Sequence, residues 1–208
     1  GRASSKELAF WDKALVKEGT ILIAGRAETV EALSTQAELI HRDLSSIDEK
    51  LALLYHPDIP CSHYESAQGL RDAFLAKLES HRSQELAQGV TVCGPHRDDL
   101  MLLVEGLEAS VYASRGQART AVLSMRLAEA AYLRNQCGHH PILLLDDVLS
   151  ELDDERRGKI LGRVMEYEQC LVTTTDVDFS VGDKRLADAT VLEIEAGSVT
   201  PSGRTDSA

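Results

Sequence analysis

Asp146 and Asp147 stand side by side at the end of an aliphatic run, Pro141-Ile-Leu-Leu-Leu-Asp146-Asp147. A run of this kind, without polar residues, predicts a strand buried on both faces. In an open parallel α/β sheet ligands bind beyond the carboxyl ends of the strands, so paired carboxylates there suit a hard cation and its anionic substrate. Asp146 would ligate Mg²⁺ and Asp147 would polarise water. The same pattern also fits a solvated turn whose first Asp caps the next helix. Upstream, Tyr112-Ala-Ser114-Arg115-Gly116-Gln117 precedes an alanine- and leucine-rich stretch, Ala121 to Leu133, that reads as a helix. A Ser and a Gly at a helix start leave backbone N–H groups facing outward with the positive end of the dipole behind them, which suits a phosphate.

These groups need a scaffold, and the pattern around them supplies candidates. After Ser150-Glu151-Leu152-Asp153, residues Asp154 to Glu166 predict a helix and Gln169-Cys-Leu-Val172 the next buried strand, ending in Thr173-Thr-Thr175-Asp176. Val90 to Cys93 is strand-like, and Gly94-Pro95 fixes a tight turn that exposes His96, Arg97, Asp98 and Asp99. His96 in that loop has the chemistry of an acid or base, although most loop histidines act as neither. Met101 to Val104 and Leu107 to Tyr112 flank Glu105-Gly106, the turn of a hairpin. Val191 to Ile194 reads as a last edge strand, and Gly197 to Ala208 as a polar, disordered tail, with 201–208 set apart as its end.

The N-terminal third differs in character. Val30, Leu33, Ala37, Ile40, Leu44, Ile47, Leu51 and Leu54 recur at spacings of three and four, a heptad stripe that predicts a long helix ending near Glu49. Leu51 to Tyr55 also alternates as a short strand would, near 50–56. His56-Pro57-Asp58-Ile59-Pro60 breaks the chain. Ser62-x-x-Glu65 then forms a capping box opening a helix with Ala67, Leu70, Phe74 and Leu78 on its buried side.

The 208 residues carry a net charge of −12, which argues against a protein that wraps nucleic acid over its whole surface and leaves only local contact with DNA. Apolar residues make up 43%, enough for an ordinary core, while aromatics at 4% leave the filling to aliphatics. No apolar stretch approaches the roughly 20 residues that span a bilayer, and no signal peptide is read, so the expected setting is the cytoplasm. Cys61, Cys93, Cys137 and Cys170 are scattered as reduced thiols would be. Cys93 with His96 and Cys137 with His140 supply a Cys₂His₂ set, but without zinc-finger loop lengths.

The order of motifs resembles ABC-type ATPases: Ser114-x-Gly116-Gln117 their signature, Ile142 to Asp147 their Walker B strand, Ser150 to Asp153 their D-loop. More finely, Gly94-Pro95-His96-Arg97-Asp98-Asp99-Leu100, the signature and Leu145 to Arg157 resemble the RecF family of bacterial recombination-repair ATPases in order and spacing. The resemblance implies an α/β fold, the C-terminal lobe of an ABC-type ATPase head with a mainly parallel sheet flanked by helices (90–200), preceded by a helical arm (1–89). It implies ATP and Mg²⁺ as cofactors, with Asp146 on the metal and Asp147 as the catalytic carboxylate that polarises water. Ser114, Arg115, Gly116 and Gln117 would face the ATP of the opposite subunit in an ATP-dependent homodimer. The implied partners are gapped or junction DNA, RecR and RecO, in the service of RecA loading.

Two departures stand against the pattern. Thr175 occupies the place of the switch histidine, and a hydroxyl carries no positive charge; Asp147 stands where most such sites have Glu, which predicts slow hydrolysis. No Gly-x-x-x-x-Gly-Lys-Ser/Thr occurs and the chain begins Gly1-Arg2-Ala3, so the expectation is a portion lacking the Walker A lobe, with no ATP turnover of its own. The alternatives are a non-hydrolysing DNA- or protein-binding module, or a metal-dependent phosphohydrolase built on Asp146 and Asp147 with Asp176 and Asp178.

Overall fold

The computed structural model describes residues 5–45, 48–60, 66–149, 152–175 and 189–201. By contacts the chain divides into two units, Gly1–Arg42 with Ile47–Tyr132, and Asp43–Ser46 with Leu133–Ala208. These borders differ from a division at 89/90. Among the described residues no helix is long and apolar enough to cross a membrane.

Ser5–Leu44 is one helix, α1, whose residues as far as Arg42 belong to the first unit and whose last two, Asp43 and Leu44, belong to the second. Ala37, Ile40 and Leu44 of the heptad stripe are buried. The helix ends at Leu44, before the expected end near Glu49, and Ile47 lies outside the described residues. Leu51 and Leu54 belong instead to a strand, β1 (Leu51–His56), with Leu51 and Leu53 buried and Leu54 exposed. The period-2 reading wins there because all six residues pair antiparallel with Asp99–Val104, β2. Ser34 of α1 also accepts the Leu53 N–H at 2.9 Å, satisfying a donor that the ladder leaves free.

The second helix, α2 (Ala67–Gln88), buries Leu70, Phe74 and Leu78 as expected, while Ala67 is exposed. Ser62 and Glu65 lie outside the described residues; Ser66 caps the helix by accepting the Gly69 N–H. Gly89, in the left-handed region, ends it by donating to the Glu85 carbonyl. Val16 and Ile23 of α1 join Ile59, Leu70, Phe74, Leu78 and Cys93 in one apolar cluster.

Val90 to Cys93 forms no strand. Its donors turn to side chains: the Val92 N–H meets Glu85 Oε1 at 3.1 Å, and the next residue, Gly94, donates to Asp58 Oδ2 at 2.8 Å. Asp58 also accepts from Lys77 Nζ at 2.6 Å. Burial pushes the Asp58 carboxyl upward, but Lys77 and the Gly94 N–H outweigh it and hold the group below its ordinary value of 3.8. The sign follows from linkage: stability from Asp58 is fully present above 3.8 and is lost as pH falls through the lowered folded value. Asp58→Asn is therefore expected to flatten the acid limb of the unfolding free energy, measured by denaturant titration at stepped pH; an unchanged limb would remove Asp58 from this role.

β2 turns through Glu105 and Gly106, both in the left-handed region at φ 52° and 76°, into the two-residue strand β3 (Leu107–Glu108). Two such residues make the hairpin turn that matches strand twist. The expected second strand is cut short because Ala109–Tyr112 coils into a single helical turn, α3. Next comes α4 (Arg115–Cys137), longer at both ends than expected.

In the second unit, β4 (Leu143–Asp146) pairs parallel with β5 (Cys170–Thr173) across α5 (Asp154–Val164), the expected strand–helix–strand order. The fold is α/β, with this pair as its parallel part; β1–β2–β3 and the final hairpin are antiparallel. Burial of β4 is one-sided: Leu143 and Leu145 are buried, Ile142 and Leu144 are 61% and 68% exposed. Burial on both faces is thus corrected, because a two-stranded sheet among the described residues has cover on one side only. Lys159 of α5 donates to the Ser45 carbonyl at 3.1 Å, and Arg163 pairs with Asp43. Leu192–Glu195 (β6) and Ser198–Pro201 (β7) form an exposed hairpin through Ala196-Gly197. Ser198 to Pro201, read as disordered tail from the sequence, is instead a strand, because it pairs with Leu192–Glu195; residues 202–208 lie outside the described set.

Candidate functional site

Ser114 to Gln117 begins α4 with a reciprocal cap. Ser114 Oγ accepts the Gln117 N–H at 3.3 Å, and Gln117 Oε1 accepts the Ser114 N–H at 2.9 Å. This is a capping box with Gln in its third helical place, so both side chains serve the helix start. The open donors are fewer than four: the N–H groups of Arg115 and Gly116 remain at the positive end of the helix, beside an exposed Arg115 side chain. Gln117 is tied further inward, its Nε2 donating to Glu49 Oε1 at 2.5 Å. Glu49 gave no signal in the sequence, where it lies between a helix and a strand.

At the end of β4, Asp146 and Asp147 are exposed. Thr173, opposite Asp146 in the β5 register, donates its hydroxyl to Asp146 Oδ1 and accepts the Asp147 N–H at 3.0 Å. Asp147 has φ 50°, in the left-handed region that a residue with a Cβ rarely adopts, at a cost of about 1–3 kcal/mol. Thr173 therefore fixes both acids, a role no spacing rule announces. Asp146 Oδ2 is left outside this bond, and one carboxylate together with phosphate oxygens and waters is a set that could hold Mg²⁺. Thr175 is exposed beyond β5; Asp176 and Asp178 lie outside the described residues.

Ser150 and Glu151 also lie outside the described residues, but both flanks are fixed. Leu149 and Leu152 are buried, and Asp153 caps α5 by accepting the Arg156 N–H at 2.8 Å. Arg157 reaches back to the Leu149 and Leu152 carbonyls, at 3.3 and 3.1 Å. Its fork clamps the two ends of the loop.

The Gly94 to Asp99 loop is organised by one acid. The side chain of Asp98 is 3% exposed and accepts from Arg26 at 2.8 Å, from the Asp58 N–H at 3.0 Å and from the Tyr55 hydroxyl. Burial, then the hydrogen bond to Asp98, raises the Tyr55 hydroxyl far above its ordinary value. Asp98 is thus internal and not exposed as expected, because three donors compensate its charge. His96 and Arg97 are exposed, His96 leaning on the Thr91 carbonyl at 3.2 Å, and Asp99 bonds the next backbone N–H. Arg26, Val30, Tyr55, Pro95, His96 and Asp98 line a cavity of about 400 Å³ here. Cys93 belongs to the core, where burial raises its thiol to about 11.

The DNA replication and repair protein RecF of Halalkalibacterium halodurans is 40% identical over 178 residues, 86% of this chain and 48% of its own length. RecF of Synechocystis is 37% identical over 197 residues, 95% and 51%. A solved structure of the recombination mediator protein RecF with ATP, from the RecFOR pathway, superposes with a TM-score of 0.79 at 29% identity, over 96% of this chain and 51% of that one. Over most of its own length the chain is similar to RecF proteins. It spans about half the length of the RecF relatives it matches. No protein-family model matches it. The RecF complex with ATPγS superposes equally well, at TM-score 0.79 and 30% identity.

Proposed function

We propose that this chain supplies the signature and Walker B half of an ATP-dependent DNA-repair clamp of RecF type. The supporting observation is the fit of 96% of the chain to RecF with ATP at a TM-score of 0.79. In this reading two subunits hold two nucleotides between them around a two-fold axis, each between the acids of one chain and the Ser114 corner of the other. ATP supplies the phosphoanhydride and Mg²⁺ the charge neutralisation. Asp146 holds the metal, Asp147 orients water, and Ser114, Gly116 and the free N–H groups of the helix start face the γ-phosphate. The loop from Ser150 to Asp153 lies beside them. With Asp147 in place of Glu and Thr175 at the switch position, hydrolysis is slow.

The division of labour is an arm over residues 1–89 and a head lobe over 90–200. Gapped DNA, RecR and RecO are the partners, and the setting is the cytoplasm. A second reading, a module that binds without turnover, applies to the 208 residues by themselves, because no Gly-x-x-x-x-Gly-Lys-Ser/Thr occurs in them.

Ser114→Arg tests the composite site in the full-length protein. It puts a bulky cation at the corner, and ATP-dependent dimerisation is expected to disappear in sedimentation while monomer affinity for ATP stays within about threefold. Dimerisation of the variant with ATP would sink the composite site.

A further inference from the structure

Below the Ser114 corner runs a buried polar chain that no sequence motif marks. Gln117 Nε2 donates to Glu49 Oε1 at 2.5 Å, and Glu49 Oε2 lies 3.7 Å from His41 Nε2. His41 is fully buried and Glu49 is 4% exposed. On the far side of the ring, His41 Nδ1 is 3.2 Å from Ser124 Oγ, and the Ser124 hydroxyl donates to the Thr120 carbonyl at 2.7 Å. Thr120 and Ser124 sit on α4, about one and two turns beyond the corner, and His41 sits in the last turn of α1.

The proton count along this chain is constrained. A serine hydroxyl has one proton, and Thr120 receives it, so Ser124 Oγ accepts from Nδ1–H. Nε2 then faces a carboxylate oxygen, and the contact is attractive only if one proton lies between them, on Nε2 or on Oε2. The Gln117 amide is oriented from both ends, its oxygen by the Ser114 N–H and its nitrogen by Glu49. A buried acid and histidine of this kind are costly to bury unless their partners are complete.

We propose that Glu49 and His41 are positioning residues for the signature corner, holding Gln117 in the rotamer that closes the Ser114 cap and tying that corner to the end of α1. The inference rests on the composite site proposed above. Without Glu49 the Gln117 amide is held from one end only, by the Ser114 N–H, so the rotamer that closes the cap loses its inner anchor and the N–H groups of Arg115 and Gly116 are presented to phosphate in a less fixed geometry.

The test uses the full-length protein, with ATP and Mg²⁺ as the probe, and reads the dimer dissociation constant beside the monomer's ATP affinity. Glu49→Leu is expected to weaken ATP-dependent dimerisation about tenfold or more, with monomer affinity unchanged. Glu49→Gln is expected to recover it to within about threefold, since its carbonyl accepts from Gln117 and its amide donates to His41. Normal dimerisation of Glu49→Leu, or a Gln variant no better than Leu, overturns the proposal. If thermal melting shows Glu49→Leu unfolded, Gln117→Glu sets two carboxylates face to face and should impair dimerisation, and Gln117→Glu with Glu49→Gln should restore it. Equal behaviour of that single and double variant also overturns it. Ser114→Arg in parallel separates the two ideas: if it blocks dimerisation and Glu49→Leu does not, the composite site stands and the positioning role falls; if it leaves dimerisation intact, both fall.

Discussion

Asp98→Ala is expected to destabilise the first unit by about 3 kcal/mol, near the low end of the cost of breaking a buried charge network. Three donors lose their acceptor at once: the Arg26 guanidinium, the Tyr55 hydroxyl and the Asp58 N–H. Arg26 is 41% exposed and recovers water, which keeps the loss from the upper range. The Asp58 N–H and the half-buried Tyr55 hydroxyl recover less, at about 1–3 kcal/mol for each unsatisfied group. Asp98→Asn should fall between Ala and the parent, because the Asn amide keeps one acceptor oxygen and turns a donor toward another donor. Tyr55→Phe leaves Asp98 with its other two donors and should cost less, about 1 kcal/mol. Thermal melting followed by circular dichroism reads the order, a shift of roughly 10 °C for Ala in a unit of this size. An Asn variant as stable as the parent would mean that the acid's charge contributes nothing here.

How far the sequence discloses this arrangement depends on how local each interaction is. The turn at Glu105-Gly106, the buried Leu70, Phe74 and Leu78, and the strand ending in Asp146-Asp147 all rest on neighbours within a few positions, and the structure has each of them. Ser114 and Gln117 are three apart, so their cap was open to the same reading that found Ser62 and Glu65. Glu49 and Gln117 are separated by 68 positions, Arg26 and Asp98 by 72, and no periodicity links such pairs. The burial of β4 departs from the pattern of its residues for a related reason. An apolar run states what a strand can bury, whereas the cover it receives depends on which strands lie beside it, and here β4 has β5 alone among the described residues.

The unassigned loop motif acquires a physical account from the same network. His96, Arg97 and Asp99 face outward while Asp98 faces in, so the loop is anchored by one side chain and displays three. Gly94 is what lets it approach the core. Its φ of 129° lies where residues with a Cβ are strained, and an added Cβ would stand 3.1 Å from Phe74 Cζ.

That contact leads to the second large effect. Phe74→Ala is expected to cost about 3–5 kcal/mol, the range for removing a fully buried phenyl ring from a packed core. The ring is held from two sides by missing side chains: a Cβ on Gly19 of α1 would lie 2.7 Å from Phe74 Cε1, as one on Gly94 would crowd Cζ. Gly19→Ala therefore sets two effects against each other. Helix propensity favours Ala by about 1 kcal/mol, while forcing a methyl into a filled site costs about 1–3 kcal/mol. The ring has no room to retreat, with Gly94 on its other edge and Pro95 Cδ 3.4 Å from the same Gly19 position. Overpacking should win in the parent. In the Phe74→Ala background the obstacle is gone, so the same Gly19→Ala change should become neutral or stabilising, and the two substitutions should couple by at least about 1 kcal/mol in a double-mutant cycle. Denaturant midpoints of the four proteins measure it. Additive losses would show that α1 and α2 can separate freely around the ring, and that the small residues at 19 and 94 are not what lets Phe74 fill the core.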